Sequence, residues 1–289
     1  MNKPFFTGIC TALVTPFLDG KVNYPMLQQL LKRQMDSGIT NIVLAGTTGE
    51  SATLTDDEKL KMIRVAKDYV AERCCIIAGT GSNSTVHTVE LSQAAQEAGA
   101  DALLVVTPYY NKPTPSGLFA HYMTVAHSLT IPVIVYNVPS RTGCDVPVEV
   151  YGRLSHIPNI AGVKEASADI AKITRILNTC TNNFAVWSGN DEMIVPSIAL
   201  GGKGVISVIS NLYPAETNAM VSAALDGDFD SASDLQRRLQ PSMELMFCES
   251  NPIPVKAAMR CIGIDCGNCR LPLTPIRPEN QERLEKFFS

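Results

Sequence analysis

A lysine follows directly after an apolar run near the middle of the sequence. Residues 160–163 read IAGV, and Lys164 comes next, followed by Glu165. Burial of an ammonium group is costly, so an apolar environment lowers the pKa of a lysine and favours the neutral amine. A neutral amine attacks carbonyl carbon and forms a Schiff base. We therefore expect Lys164 to be a nucleophile at the end of a buried strand; the alternative is a surface lysine or a partner for Glu165.

Schiff-base chemistry also needs groups that move protons. None of the four histidines falls at the end of a predicted strand, whereas Tyr136, Tyr109 and Tyr110 do fall near such ends. A tyrosine works best as a relay beside another hydroxyl, and Thr47 offers one. We expect a hydroxyl relay; the alternative is that these tyrosines are core or rim residues.

Two segments could hold the carboxylates of an oxo acid. The turn AGTTGES at residues 45–51 combines backbone N–H groups with the hydroxyls of Thr47 and Thr48. Arg141, in VPSRTG, offers a two-pronged guanidinium for a second carboxylate. The glycines of the turn could equally serve only the conformation of the loop.

The nine cysteines are scattered along the chain. Cys266 and Cys269 have the C-x-x-C spacing, but they lie near the chain end and not at the start of a βαβ unit. A zinc site needs four ligands, and Cys261 with this pair supplies three. We expect reduced structural thiols and no metal site; a thiol oxidoreductase built on the pair is a distant alternative.

Composition excludes several classes of partner. The net charge is −4 and no long basic run is present, which argues against nucleic acid and anionic lipid. The apolar segment at residues 1–17 is interrupted by prolines, is too short to span a membrane and lacks a cleavage pattern. We expect a cytoplasmic protein without a membrane segment.

Short apolar runs alternate with longer amphipathic segments over most of the chain. The runs lie at residues 8–16, 41–48, 74–81, 100–108, 131–139, 160–167, 184–190 and 202–210. Eight strand–helix units predict an α/β fold, a (β/α)8 TIM barrel over residues 1–225, with a C-terminal helical extension over 226–289 packed on it. A doubly wound open sheet is the rival, because periodicity does not show closure. In a barrel the candidate residues would meet at the carboxyl ends of the strands.

Six motifs, in order and over essentially the whole chain, resemble the dihydrodipicolinate synthase family of the pyruvate-dependent class I aldolases. They are GTTGES (46–51), TPYYN (107–111), YNVPSRTG (136–143), GVKEAS (162–167), GVISV (204–208) and NPIPVK (251–256). The resemblance implies a lyase that condenses pyruvate with L-aspartate 4-semialdehyde in the diaminopimelate route of lysine biosynthesis. It also implies a homotetramer built from two dimers, and no cofactor beyond the covalent imine between Lys164 and pyruvate.

The resemblance assigns roles to single residues. Lys164 would form the imine, and Tyr136 would donate and accept protons. Thr47 would link Tyr136 to Tyr110, which family members place in the neighbouring subunit's site. Substrate-binding positions would be Thr48 and Ile206 for pyruvate, Gly189 through its carbonyl, and Arg141 for the carboxylate of the semialdehyde. Strand alternation turns Glu165 away from the barrel interior, so we expect no role for it.

Arg141 separates this chain from related aldolases. N-acetylneuraminate lyases and 2-keto-3-deoxy sugar acid aldolases generally lack the SRTG context, so we favour the synthase over them. A catalytically silent barrel is the alternative from another functional class.

The regulatory cleft of the family differs in this chain. Lysine-inhibited members often carry histidine and glutamate where this chain has Asp56, Lys59 and His87, while Ser51, Asn83 and Tyr109 are compatible with the cleft. With His87 in place of the glutamate, a partner for the ammonium group of lysine is lost, and Lys59 adds a like charge. We predict weak or absent feedback inhibition by lysine.

Overall fold

The computed structural model describes residues 4–289 and contains a closed barrel of eight parallel strands. Its strands and one hairpin are β1 (Gly8–Ala12), β2 (Phe17–Leu18), β3 (Lys21–Val22), β4 (Asn41–Leu44), β5 (Cys75–Gly79), β6 (Ala102–Val106), β7 (Val133–Asn137), β8 (Ile160–Glu165), β9 (Ala185–Ser188) and β10 (Gly204–Ser207). Strand β1 pairs with both β10 and β4, which closes the sheet. The predicted TIM barrel is confirmed, and the open doubly wound sheet is excluded. The first three residues of the predicted 1–225 unit lie outside the described residues.

Helices surround the barrel and continue beyond it. They are α1 (Tyr24–Asp36), α2 (Asp56–Val70), α3 (Thr85–Glu97), α4 (Pro115–His127), α5 (Pro139–Thr142), α6 (Val148–Leu154), α7 (Ile170–Thr179), α8 (Ile194–Ala199), α9 (Pro214–Leu225), α10 (Phe229–Leu245), α11 (Ile253–Cys261) and α12 (Pro278–Phe288). Polar side chains fix several starting points. Before α2, the Thr55 hydroxyl accepts from the Glu58 N–H, and the Glu58 carboxylate accepts from the Thr55 N–H. This reciprocal cap satisfies backbone donors that a helix start leaves unpaired.

Two elements are absent from the sequence-based prediction. The hairpin β2–β3 turns at Asp19 and Gly20, whose φ angles are 49° and 75°. An Asp-Gly pair is a strong hairpin signal, so this element was detectable. Helix α12 is rich in charged residues and begins at a proline; it packs against α11, and its Phe288 stacks on Tyr213, which precedes α9.

The segment after residue 225 contacts the barrel at several places. Helix α10 packs against α8 and α9. The Arg270 guanidinium donates to both carboxylate oxygens of Glu58 at 2.7 and 2.6 Å, and to the Thr53 carbonyl at 2.9 Å. These contacts join the extension to the loop and helix that follow β4. The division of the chain at residue 225 stays a prediction.

The barrel interior is filled by its own apolar cluster. The members of this cluster are Phe6, Cys10, Ala12, Val43, Ile77, Ala102, Leu104, Ile134, Tyr136, Val138, Ala185, Trp187 and Ile206. Phe6 stacks on Trp187 with ring centroids 4.5 Å apart. Tyr136 is therefore anchored in a packed interior, and the residue is 6% exposed.

An irregularity in β8 sets the direction of Lys164. Strand β7 pairs Val133 with Ile160 and then Ile134 with Gly162, so Ala161 is an extra residue in β8. Both Ile160 and Val163 pack in the layer between strands and helices, which strict alternation would forbid for residues three apart. This bulge shifts the alternation by one residue, so Lys164 lies opposite Tyr136 and both face the interior.

Candidate active site

The centre of the site lies at the carboxyl ends of β7 and β8. The Lys164 amine is 4.5 Å from the centroid of the Tyr136 ring, and Lys164 is 4% exposed. The Tyr136 hydroxyl lies 3.4 Å from the Thr47 hydroxyl, and either of them can donate. The structure thus brings together a buried amine and two hydroxyls able to pass a proton.

Gly189 approaches Lys164 from the neighbouring strand end. A Cβ atom at Gly189 would lie 3.1 Å from Lys164 Cε and 2.6 Å from Ala166 Cβ. The space next to the amine therefore requires a residue without a side chain. Ile206 lies on β10 with no exposed surface and forms part of the interior cluster.

The turn after β4 has an unusual backbone. Ala45 and Glu50, which bracket residues 46–49, have φ angles of 52° and 56°. Such left-handed conformations in residues other than glycine persist only where surrounding contacts hold them. The Glu50 carboxylate accepts from Lys256 Nζ at 2.8 Å and from the Arg270 N–H at 2.9 Å. A buried ion pair to the extension therefore holds the turn that carries Thr47 and Thr48.

Asn251 links two of the predicted substrate-binding residues, although no role was predicted for it. Its Nδ2 donates to the Thr48 hydroxyl at 2.9 Å, and its carbonyl accepts from Arg141 Nη2 at 3.2 Å. Because the Thr48 oxygen already accepts a hydrogen bond, its own proton is available for another acceptor. The motif NPIPVK contains Asn251. Its contact with Thr48 joins residues 203 positions apart in the sequence, and such a contact cannot be predicted from periodicity.

A cavity of about 550 Å³ opens beside this centre. Thr47, Tyr136, Arg141 and Asn251 line it, together with Pro272 and Leu273 of the extension. Lys164 is not among the lining residues, but its amine is 4.5 Å from the centroid of the Tyr136 ring, which is. The extension therefore forms part of the wall of the cavity from which a substrate would reach the amine.

The predicted regulatory residues lie mostly in the same cavity. Ser51, Asp56, Lys59, His87 and Tyr109 line it, whereas Asn83 does not. The Asp56 carboxylate is 3.4 Å from Lys59 Nζ and 3.5 Å from His87 Nε2. Asn83 instead accepts from Asn111 Nδ2 through its carbonyl.

Tyr110 lies apart from this centre. It is 89% exposed, it does not line the cavity, and its φ angle is 71°. Its neighbour Tyr109 does line the cavity. Within one chain, therefore, the structure does not bring Tyr110 to Thr47.

A buried carboxylate also supports the site, and it was not predicted. Asp191 Oδ2 accepts from the Val208 and Ile209 N–H groups at 3.0 and 2.8 Å, which holds the turn that follows Ile206. Burial raises the pKa of the Asp191 carboxyl. Asp191 comes just after a predicted strand end, so its position was a detectable signal.

The cysteines are free thiols, and all nine lie within residues 4–289. Burial raises the pKa of the Cys266 thiol to about 11 and that of Cys269 to about 12. Reactive cysteines show the opposite shift, so the raised pKa values of these two thiols do not favour a redox pair. Among residues 4–289, no three His, Cys, Asp or Glu side chains converge in a way that could hold a metal ion.

The described part of the chain contains no helix that is both long and apolar enough to cross a membrane.

Comparison with known proteins adds an independent observation. The profile of the dihydrodipicolinate synthetase family matches residues 5–289. A relative from Acetivibrio thermocellus, named 4-hydroxy-tetrahydrodipicolinate synthase, is 46% identical over 286 residues, which are 99% of this chain and 97% of the relative.

Solved structures show the same similarity. The crystal structure of dihydrodipicolinate synthase from Aquifex aeolicus superposes with a TM-score of 0.96 at 43% identity, covering 98% of this chain and 97% of that one. The enzyme from Cyanidioschyzon merolae, solved with lysine bound, has a TM-score of 0.95 and 40% identity and covers 98% of this chain and 97% of that one. Because the family profile matches nearly the whole chain, the chain belongs to the dihydrodipicolinate synthetase family, a family of lyases.

Proposed function

We propose that this chain forms 4-hydroxy-tetrahydrodipicolinate by condensing pyruvate with L-aspartate 4-semialdehyde. The observation that carries the proposal is the buried Lys164 amine beside Tyr136, whose hydroxyl meets that of Thr47. The relatives of the same name support the choice of substrates. The reaction would belong to the diaminopimelate route of lysine biosynthesis in the cytoplasm.

The proposed reaction starts at the amine of Lys164. The neutral amine attacks C2 of pyruvate, and the resulting carbinolamine loses water to give an iminium ion. Loss of a proton from C3 gives an enamine, whose C3 attacks the aldehyde carbon of the semialdehyde. The amino group of that substrate then attacks the imine carbon and displaces Lys164 as the ring closes. The iminium is the electron sink, so we propose no metal or organic cofactor.

Tyr136 and Thr47 would move the protons in these steps. Carbinolamine formation, dehydration and enamine formation each transfer one proton. The Tyr136 ring lies beside the amine, and the contact of its hydroxyl with Thr47 would provide the next member of a relay.

The carboxylates of the two substrates would be held by separate groups. The free proton of the Thr48 hydroxyl is available for the pyruvate carboxylate, because Asn251 already donates to its oxygen. Ile206 would contact the apolar part of pyruvate, and the carbonyl of Gly189 would face the imine. Arg141 is exposed and lines the cavity, so its guanidinium is available for the carboxylate of the semialdehyde.

A related aldolase activity is the main alternative, and substrate choice tests it. Purified protein should consume aspartate semialdehyde in the presence of pyruvate, and it should not cleave N-acetylneuraminate or 2-keto-3-deoxy sugar acids. Cleavage of one of these sugar acids without condensation would contradict the proposal. Absence of all these activities would favour a catalytically silent barrel.

The active form would be an oligomer. Tyr110 is exposed and does not line the cavity of its own chain. We propose that it completes the relay of a neighbouring subunit, in a homotetramer built from two dimers.

Feedback inhibition by lysine should be weak or absent. Lysine is bound in the relative from Cyanidioschyzon merolae. In this chain the Asp56 carboxylate is already in contact with Lys59 and His87, and Lys59 repels a second ammonium group. Condensation rates measured against lysine concentration check this expectation, and half-inhibition at sub-millimolar lysine would contradict it.

A further inference from the structure

Two polar side chains follow directly after the two central residues of the site. Strands β7 and β8 pair Tyr136 with Lys164 and then Asn137 with Glu165. Because side chains alternate between faces, Tyr136 and Lys164 face the barrel interior, while Asn137 and Glu165 face the surrounding helices. Asn137 has no exposed surface and Glu165 is 3% exposed. Glu165 thus points away from the interior, as expected, but it is buried.

Asn137 and Glu165 form a hydrogen-bonded pair across the two strands. Asn137 Nδ2 donates to the two carboxylate oxygens of Glu165 at 2.9 and 3.1 Å. The Glu165 carboxylate also accepts from the Ser167 N–H at 2.9 Å and from the Tyr151 hydroxyl at 3.2 Å. Asn137 Oδ1 accepts from the Val146 N–H at 3.1 Å. Each of these partners of the carboxylate is therefore a donor.

A buried cation accompanies this carboxylate. Lys172 Nζ lies 3.9 Å from Glu165 Oε2, and the Lys172 side chain is 5% exposed. Lys172 also pairs with Asp145, which is half exposed and accepts from Asn137 Nδ2 at 2.8 Å. The network therefore links β7 and β8 to α6 through Tyr151 and to α7 through Lys172.

The pairing of the two strands ends at this point. Asn137 and Glu165 form the last registered pair, after which the chains separate toward α5 and toward the loop before α7. Just beyond this pair, the Ala166 N–H donates to the Asn137 carbonyl at 2.9 Å, which is the last link before the two segments diverge. The side-chain bonds of Asn137 and Glu165 hold the two strand ends together on the outer face, opposite the amine and the hydroxyl on the inner face.

We propose that Asn137 and Glu165 are positioning residues, which fix Lys164 against Tyr136 by closing the ends of β7 and β8. This inference rests on the proposed function, because it assumes that Lys164 forms the imine. A displacement of reacting groups by about 1 Å can cost about a hundredfold in rate. Pyruvate binding should change less, since Thr48 and Ile206 follow or lie on other strands, β4 and β10.

Glu165→Gln tests the proposal with a side chain of the same size. The new amide would present N–H groups to Asn137, Ser167 or Tyr151, all of which now donate. With pyruvate and borohydride, we expect the rate of adduct formation at saturating pyruvate to fall by about tenfold to a hundredfold. The half-saturating pyruvate concentration should stay within about threefold of the wild-type value, since its binding groups are untouched.

Asp101→Asn is the matched control for lost stability. Asp101 accepts from the Ile76 N–H at 2.7 Å and pairs with Lys67 at 2.9 Å, at the opposite end of the barrel. This variant should lower the melting temperature without changing the trapping rate, because that barrel end serves stability. Asn137→Ala removes the other member of the pair, and it provides the test if Glu165→Gln does not fold.

The outcomes separate the two proposals. If the wild-type protein traps pyruvate, and both Glu165→Gln and Asn137→Ala trap it at the wild-type rate, only the positioning role is overturned. The positioning role is also overturned if Asp101→Asn and Glu165→Gln lose the same amount of melting temperature and the same fraction of the trapping rate. If wild-type protein traps no pyruvate, the proposed function fails, and the positioning role fails with it.

Discussion

At the scale of single residues, the candidate chemistry depends on one aromatic ring with a hydroxyl. The Tyr136 ring covers the Lys164 amine at 4.5 Å, while its hydroxyl reaches Thr47 at 3.4 Å. In the proposed reaction, the ring would shield the amine from water and the hydroxyl would pass a proton. The two functions can be separated by removing only the oxygen.

Tyr136→Phe should lower turnover by about a hundredfold to ten-thousandfold, which is the usual contribution of a general acid–base group. The phenyl ring preserves the packing, so the melting temperature should change little. Steady-state condensation kinetics and thermal unfolding measure both quantities. Tyr122→Phe is the control: it removes a buried hydroxyl that donates to the Val105 carbonyl, away from the cavity. Turnover of Tyr136→Phe within about twofold of wild type would remove Tyr136 from the relay.

At the scale of elements, the direction of Lys164 depends on the bulge in β8. Gly162 follows the extra residue Ala161, and a Cβ atom at Gly162 would lie 2.0 Å from the Ala185 carbonyl oxygen. A backbone oxygen cannot move aside as a flexible side chain can. The bulge therefore couples the register of three neighbouring strands to the position of the amine.

Overpacking a core typically costs about 1–3 kcal/mol, and Gly162→Ala should destabilise the protein by more than this. Soluble yield and the free energy of unfolding in urea check this. Ala161→Gly, which adds no atoms, should cost only about 0.5–1 kcal/mol and keep pyruvate trapping. Wild-type stability of Gly162→Ala would show that β9 yields to a methyl group here.

The turn after β4 and the C-terminal extension form a second unit at this scale. Glu50 and Lys256 are paired at 2.8 Å with side chains 0% and 3% exposed. The pair lies next to the turn that carries Thr47 and Thr48.

Lys256→Met should leave the Glu50 carboxylate buried without its cation, at a cost of about 3–5 kcal/mol. We also expect weaker pyruvate binding, because the turn loses its support. Unfolding in urea and half-saturating pyruvate concentrations measure these effects. Lys32→Met breaks the exposed pair with Asp36 and should leave both quantities unchanged. Equal effects of the two substitutions would contradict a structural role for the buried pair.

At the scale of the whole molecule, the exposure of Tyr110 requires an explanation outside one chain. The residue is 89% exposed, although Tyr109 directly before it lines the cavity. An exposed aromatic ring on a left-handed backbone is consistent with a contact that a second copy completes.

Tyr110→Phe should lower turnover while leaving the melting temperature and the oligomeric state unchanged, because the substitution removes only the hydroxyl group. Condensation kinetics and light scattering after gel filtration measure this. Unchanged turnover would remove Tyr110 from the relay, and a monomeric wild-type protein with full activity would contradict its action in a neighbouring subunit.

Much of the fold was predictable because parallel strands that are covered on both faces leave apolar runs. All eight barrel strands lie within the predicted runs, and Lys164 stands at a strand end as expected. The bulge at Ala161 was not predictable, since an extra residue does not interrupt an apolar run. Asn251 and the pairing of Glu50 with Lys256 depend on segments about 200 residues apart, and periodicity reports only local structure.

The central claim is that Lys164 forms an imine with pyruvate, and one measurement tests it most directly. Wild-type protein is incubated with pyruvate, reduced with borohydride, digested and analysed by mass spectrometry. We predict a single reduced pyruvate adduct, located on Lys164 and absent from Lys164→Arg. An adduct on another lysine, or none at all in protein that catalyses the condensation, would contradict the account.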